Sequence, residues 1–266
     1  MALSAAVLAA AGSVVSLLMP ERVYGQETAA LFDAAIAQDL VNLFVVSPLA
    51  VVLALLARRG SLVSRLCLPG LMVFTAYNYM IYAFSIHFGP LFLVWVAVLG
   101  LSAYAAAGTF SELNRLWLAA HFQSAPVRFA GWVLIVLAAV FTLLWLSEIK
   151  PDLLAGRGST SAAAWQVPTN PVHVLDLAFF LPGVLASGVL LLRRRQAGYA
   201  GAAAGLVFLA LTCLPVMASP FVAQSRGNEA GWAVLAPMIL LLGTAAFALW
   251  RLLQGTRRSL LPAPAE

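Results

Sequence analysis

Residues 170–195, NPVHVLDLAFFLPGVLASGVLLLRRR, decide the fold. Asn170 has the side chain of a helix N-cap, and Pro171 suits the first helical turn, where a backbone N–H has no partner in any case. From 171 to 192 the run is apolar and about 33 Å long at 1.5 Å per residue, enough to cross a hydrocarbon core of about 30 Å. Arg193, Arg194 and Arg195 stop it, and such a cluster marks the cytoplasmic side of a membrane helix. Pro182 removes a backbone hydrogen bond in the middle and predicts a kink. His173 and Asp176 sit three apart, on one face, near the end remote from the arginines. Ionisable groups at such depth usually face a bundle interior or a wet cavity.

The rest of the chain has the same character. Of 266 residues, 63% are apolar and 9% charged, with a mean hydropathy of +0.96. A soluble domain carries about 25% charged residues, so the composition calls for lipid as solvent. Eight apolar runs are predicted as transmembrane helices, at about 2–19, 39–57, 66–86, 90–110, 129–147, 171–192, 199–219 and 231–250. The reading is one all-α, polytopic transmembrane domain over 1–255 and a cytoplasmic tail over 256–266. The first run lacks the basic flank of a secretory signal and is expected to remain as a helix. Residues 27–38 form a weakly amphipathic stretch expected at the interface, and 113–122 a short surface helix that includes His121.

Charge placement orients these helices. Arg58, Arg59, Arg65, Arg115, Arg128, Arg193, Arg194, Arg195, Arg251, Arg257 and Arg258 fall on one side, and only Arg22, Lys150, Arg157 and Arg226 on the other. That bias predicts both termini in the cytoplasm. It also accounts for the net charge of +5 without a nucleic-acid partner. Trp145 and Trp232 at the outer interface, and Trp132 and Trp250 at the inner one, fit an aromatic belt, and Tyr77, Tyr79 and Tyr82 are read as further interfacial anchors. Cys67 and Cys213 lack paired spacing and are expected as buried apolar residues.

A shift of 134 residues lays the second helix on the sixth. Pro48 falls on Pro182, Arg59 on Arg193, Asp39 on His173 and Asn42 on Asp176. Gly70 and Gly205, 135 apart, nearly keep the register. The pattern predicts a four-plus-four parallel repeat about an axis along the membrane normal.

The polar residues gather in the outer half. Asp39 and Asn42 open the second predicted helix, and His173 and Asp176 the sixth. Asn78, Tyr82 and Ser85 form a stripe leading to His87, and Glu148 ends the fifth helix. Across a pseudo-twofold axis the Asp39/Asn42 pair would face the His173/Asp176 pair. Three functions compete. The first is binding or transport of a small solute or ion at Asp39, Asn42, Asn78, Tyr82, His173 and Asp176, with no cofactor and no catalytic residue. The second is a membrane-embedded hydrolase holding a divalent metal such as zinc on His173, Asp176, Asp39 and His87, since imidazole and carboxylate ligands with a bound water make a hydrolytic centre. The third is a structural or assembly role in which polar groups tie helices together. HExxH, GxSxG and phosphate-binding glycine loops are missing from the sequence, so the non-enzymatic reading leads. The oligomeric state is left open.

The segments TNPVHVLDLAFFLPG and YNYMIYAFSIHFGPLFLVWV resemble a family of bacterial multi-pass membrane proteins to which no activity is assigned. The resemblance implies a bacterial plasma membrane and carries over no site residue.

Overall fold

The computed structural model describes residues 1–116, 118, 122, 127–254 and 256. The surface helix expected over 113–122, with His121, falls largely outside the described residues, as do Arg257, Arg258 and the tail beyond Thr256.

Among the described residues eight long helices form the bundle: α1 (Ala2–Leu18), α2 (Ala29–Arg58), α3 (Leu62–Ser85), α4 (Phe92–Arg115), α5 (Val127–Leu154), α6 (Pro171–Leu192), α7 (Gln196–Ser225) and α8 (Trp232–Gln254). Seven are long and apolar enough to cross a membrane; α1, with 17 residues, is shorter. The protein is an all-α, multi-pass membrane protein in contact with the lipid bilayer. Large side chains such as Phe44, Phe84, Leu93, Tyr104, Phe179 and Leu240 are exposed on its surface, which only a lipid environment makes favourable.

Three helices run further than their apolar stretches suggest. α2 begins at Ala29, capped by the Thr28 side chain on the amide of Leu31. The 27–38 stretch is therefore the first third of a transmembrane helix and not a separate interfacial piece, and Asp39 and Asn42 lie inside the helix. Its polar residues Asp33, Gln38 and Asp39 are buried against other helices, which explains why hydropathy alone stopped short. α5 continues to Leu154, and α7 runs through Pro215 and Pro220 to Ser225.

The two halves repeat at a constant shift of 134. α2 widens into a π-bulge over Asn42–Val46 and α6 does so over Asp176–Phe180. The cause is the same in both. A proline ring crowds the carbonyl four residues back and offers no N–H. The residue before it then bonds five residues back, Ser47 to Asn42 and Leu181 to Asp176, which widens the turn. The helix ends match as well. Arg59 bonds Leu55 O and Ala57 O, and Arg193 bonds Val189 O and Leu191 O. Gly60 and Arg194 follow with φ of +88° and +53°. Ser61 and Arg195 then bond Leu56 O and Leu190 O before α3 and α7 begin.

α3 and α7 pack together at the centre. A Cβ on Gly70 would lie 2.3 Å from Ala204 O, and the rings of Phe74 and Phe208 sit 6.4 Å apart. Both contacts pair a residue with its own counterpart at a shift of 134. Under a twofold operation only residues beside the axis meet their counterparts, so the pseudo-axis runs between α3 and α7. The register is 134 here too: Gly70 corresponds to Ala204, while Gly205 packs against Leu134 and Val184 and is not the partner of Gly70. The outer part of α2 leans on α7, and the first turns of α6 lean on α3, so each half braces the other.

Candidate functional site

Asp39 lies mid-helix in α2 and is 1% exposed. Three hydroxyls donate to its carboxyl group: Ser13 to Oδ1 at 2.8 Å, and Ser16 and Tyr24 to Oδ2 at 2.6 Å each. Two come from the facing stripe of α1 and the third from the short helix Pro20–Tyr24. Burial, and then the neighbouring Asp39 carboxyl, hold the Tyr24 phenol well above its ordinary pKa, so it serves as a donor. Around this cage Tyr24, Tyr79, Tyr82, Phe32 and Trp95 interlock with centroid separations of 5.5–6.5 Å. Tyr82 donates to Ala35 O at 3.1 Å and Tyr79 to Ala9 O at 3.5 Å. Tyr77, Tyr79 and Tyr82 are thus core residues, 5%, 1% and 4% exposed, and not interfacial anchors: each has its ring against other helices, where packing outweighs the pull of the interface. Asn42, one turn on, accepts from Gln38 at 2.8 Å, and its buried Nδ2 has no partner among the described residues. Asn78 turns back to its own helix, donating to Phe74 O.

The second half is arranged differently at the equivalent depth. Asp176, at the start of the α6 bulge, accepts from Trp145 Nε1 of α5 at 2.8 Å. His173 is 7% exposed. Its ring packs on Trp145 at 4.7 Å, and its Nε2 lies 3.3 Å from Glu148 Oε2. The Glu148 side chain is 46% exposed, and Asp176 is only half-buried. The Tyr77 ring is fixed edge-on against Phe180 at 4.7 Å and Phe208 at 5.4 Å. Here a carboxylate reachable from the surface leads through a buried imidazole toward a second carboxylate held by Trp145.

The sequence-level candidates therefore separate. No hydrogen bond or ion pair joins the Asp39/Asn42 pair to the His173/Asp176 pair among the described residues. His87 belongs to a third place: its amide and Nδ1 bind the Glu27 carboxylate at 2.8 and 3.0 Å, strapping the α3–α4 connection to the start of α2. The proposed metal ligands His173, Asp176, Asp39 and His87 are spread over all three, and among the described residues no three His, Cys, Asp or Glu side chains gather where they could hold a metal ion. Cys67 and Cys213 are free and buried.

A fourth polar contact escaped the sequence reading. Arg226, after α7, places Nε 2.8 Å from Asp33 Oδ1 and stacks over the Phe32 ring at 3.6 Å, while Asn228 donates to Asp33 Oδ2 at 2.7 Å. Asp152 likewise receives Arg157 at 2.6 Å and the Thr160 amide at 2.7 Å. All the described ion pairs lie at the end opposite the arginine-rich one. No family model, curated protein or solved structure matches the chain.

Proposed function

We propose that the protein binds a small cation or cationic solute at the Glu148, His173 and Asp176 cluster and passes it across the membrane. One observation carries this reading: of two equivalent polar positions, one is sealed and the other is open. Asp39 accepts from three hydroxyls and is enclosed by an aromatic shell. Glu148 is exposed and Asp176 only half-buried, with the His173 imidazole beside Glu148. Two carboxylates gathered near one buried imidazole favour a cation through Coulombic attraction. Helices broken at one depth in two parallel repeats are where transporters place their sites, and rocking of one half against the other would alternate access. Asp39, in this reading, fixes the packing of the first half.

The arginine bias supports a reading with cytoplasmic termini and the cluster on the outer side, and in this proposal the membrane is a bacterial plasma membrane, as the resemblance of the α3–α4 and α6 segments implies. The test is thermal unfolding of the detergent-purified protein with sodium, potassium, magnesium, calcium, choline and spermidine salts. A ligand at a hundred times its Kd adds about 2.7 kcal/mol of stability, so at least one of these should raise the Tm of the wild type by about 5 °C. That rise should vanish in Glu148→Gln/Asp176→Asn. No response to any of them, or an equal response in the double variant, would sink the proposal.

A further inference from the structure

The pseudo-symmetry is broken at a second place, on the lipid-facing side of α6 and α7. A cleft of about 240 Å³ opens there between the halves, lined by Val73, Phe110, Phe179, Gly183, Ser187 and Gly205 among others. Across the axis the counterparts of Gly183, Ser187, Gly201 and Gly205, at the shift of 134, are Leu49, Leu53, Cys67 and Leu71. Leu71 and Cys67 are buried, and Leu49 and Leu53 pack on the core. The first half carries larger side chains at all four positions, and at Gly183 the second half leaves the space beside the backbone empty. A Cβ on Gly183 would meet nothing within 4 Å, and Phe179 at the rim is 66% exposed, so the cleft opens to the bilayer.

A second cavity adjoins this cleft. Phe110 lines both, and the second cavity, of about 350 Å³, is bounded by Ser111, Leu113, Asn114, Gln196, Ala197 and Ala200 at the arginine-rich end. Its wall is polar where the first is apolar. Gln196 Nε2 bonds Leu116 O, while the buried Oε1 of the same amide has no partner among the described residues. Arg115 adjoins Asn114 in sequence, and Arg193, Arg194 and Arg195 adjoin Gln196. All four arginines are exposed, and none makes an ion pair among the described residues. From Gly183 to Arg193 the helix rises about 15 Å, the span of one leaflet of the hydrocarbon core.

We propose that these two adjoining cavities form a binding site for an anionic glycerophospholipid, its acyl chain in the cleft beside Gly183 and its head group among Gln196, Asn114 and the arginines. An apolar slot ending in a polar pocket and a cluster of uncompensated arginines is complementary to that amphiphile: cationic pockets between membrane helices bind anionic head groups, and guanidinium pairs with phosphate through two hydrogen bonds. Glycerol hydroxyls on the head group supply a donor to Gln196 Oε1, which has none among the described residues. The site lies at the end opposite the Glu148 cluster and does not depend on it.

The test is native mass spectrometry of the full chain released from detergent, titrated with dioleoyl phosphatidylglycerol or dioleoyl phosphatidylcholine. The wild type is expected to bind the anionic lipid about tenfold more tightly. Gly183→Leu, which restores the residue carried by the other half, should weaken dioleoyl phosphatidylglycerol about tenfold. Arg193→Gln/Arg195→Gln should bring the two lipids level. Should Gly183→Leu not fold, dihexanoyl phosphatidylglycerol on the wild type reads the same slot and should bind about tenfold more weakly than the dioleoyl form. Equal binding of the two head groups by the wild type overturns the proposal. So does a Gly183→Leu variant that binds like the wild type, or equal binding of short and long chains.

Discussion

Replacing Asp39 by alanine should destabilise the protein more than any other single change at a polar position in its first half. The carboxyl group accepts from Ser13, Ser16 and Tyr24. Ser16 also bonds Gly12 O at 2.9 Å and keeps that bond in the variant. Ser13 and Tyr24 are left with buried hydroxyls that have lost their acceptor. An orphaned buried hydroxyl costs about 1–3 kcal/mol, while interhelical hydrogen bonds measured within bilayers average nearer 0.6 and reach about 1.7 kcal/mol. Two orphans and a small void together predict a loss of about 2–5 kcal/mol. Asp39→Asn keeps Oδ1 as an acceptor for Ser13 but presents a donor to Ser16 and Tyr24, so it should cost about half as much. Reversible unfolding in mixed micelles of rising dodecyl sulfate fraction measures the difference. A cycle with Ser16→Ala should give a coupling of about 1 kcal/mol. If Asp39→Ala lies within about 0.5 kcal/mol of wild type, the range of neutral surface changes, the hydroxyl cage is not what holds α1 to α2.

Gly70→Leu drives a side chain into Ala204, whose carbonyl oxygen an added Cβ would already meet at 2.3 Å; a loss of about 3 kcal/mol is expected on the same unfolding assay. Gly205→Ala, with only Leu134 Cδ2 as near as 3.2 Å, should cost far less. Arg226→Ala leaves the Asp33 carboxylate, 4% exposed, without its cation and should lower stability by about 3 kcal/mol, with only partial rescue by Arg226→Lys, which restores the charge but does not stack on Phe32 as a guanidinium does. Arg194, at φ +53° where its counterpart is Gly60, should gain about 1 kcal/mol on replacement by glycine as the left-handed strain is relieved.

Much of the architecture can be read in the chain because the bilayer imposes it. The helix over 171–192 begins and ends where its cap, proline and arginines require, and the Asn170 side chain does accept from the amides of Val172 and His173. The repeat is visible in Pro48 and Pro182 because each follows a π-bulge at the same register of its half. What escapes is pairing across helices. Nothing in the spacing of Asp39 says that its partners are Ser13 and Ser16, since serines in an apolar run more often bond their own backbone, as Ser187 does here. Trp145 has the position of an interfacial tryptophan, and only the crossing of α5 and α6 brings its Nε1 to Asp176. Hydropathy also cuts α2 short, because Asp33 and Gln38 lower the average while being buried. The contrast between a closed and an open polar cluster comes from tertiary packing, and two acidic residues of similar sequence context give no sign of it.

Carboxyl footprinting tests that contrast most directly. The detergent-purified protein is treated with a water-soluble carbodiimide and glycine ethyl ester, and labelling at each Asp and Glu is followed by peptide mass spectrometry. The account predicts fast labelling of Glu148, slower labelling of Asp176 and none of Asp39 while the protein stays folded, with Glu148 and Asp176 protected by the cation that raises the Tm. Labelling of Asp39 at the rate of Asp176 would contradict it, because the two halves would then present equivalent sites and the asymmetry on which the function rests would not exist.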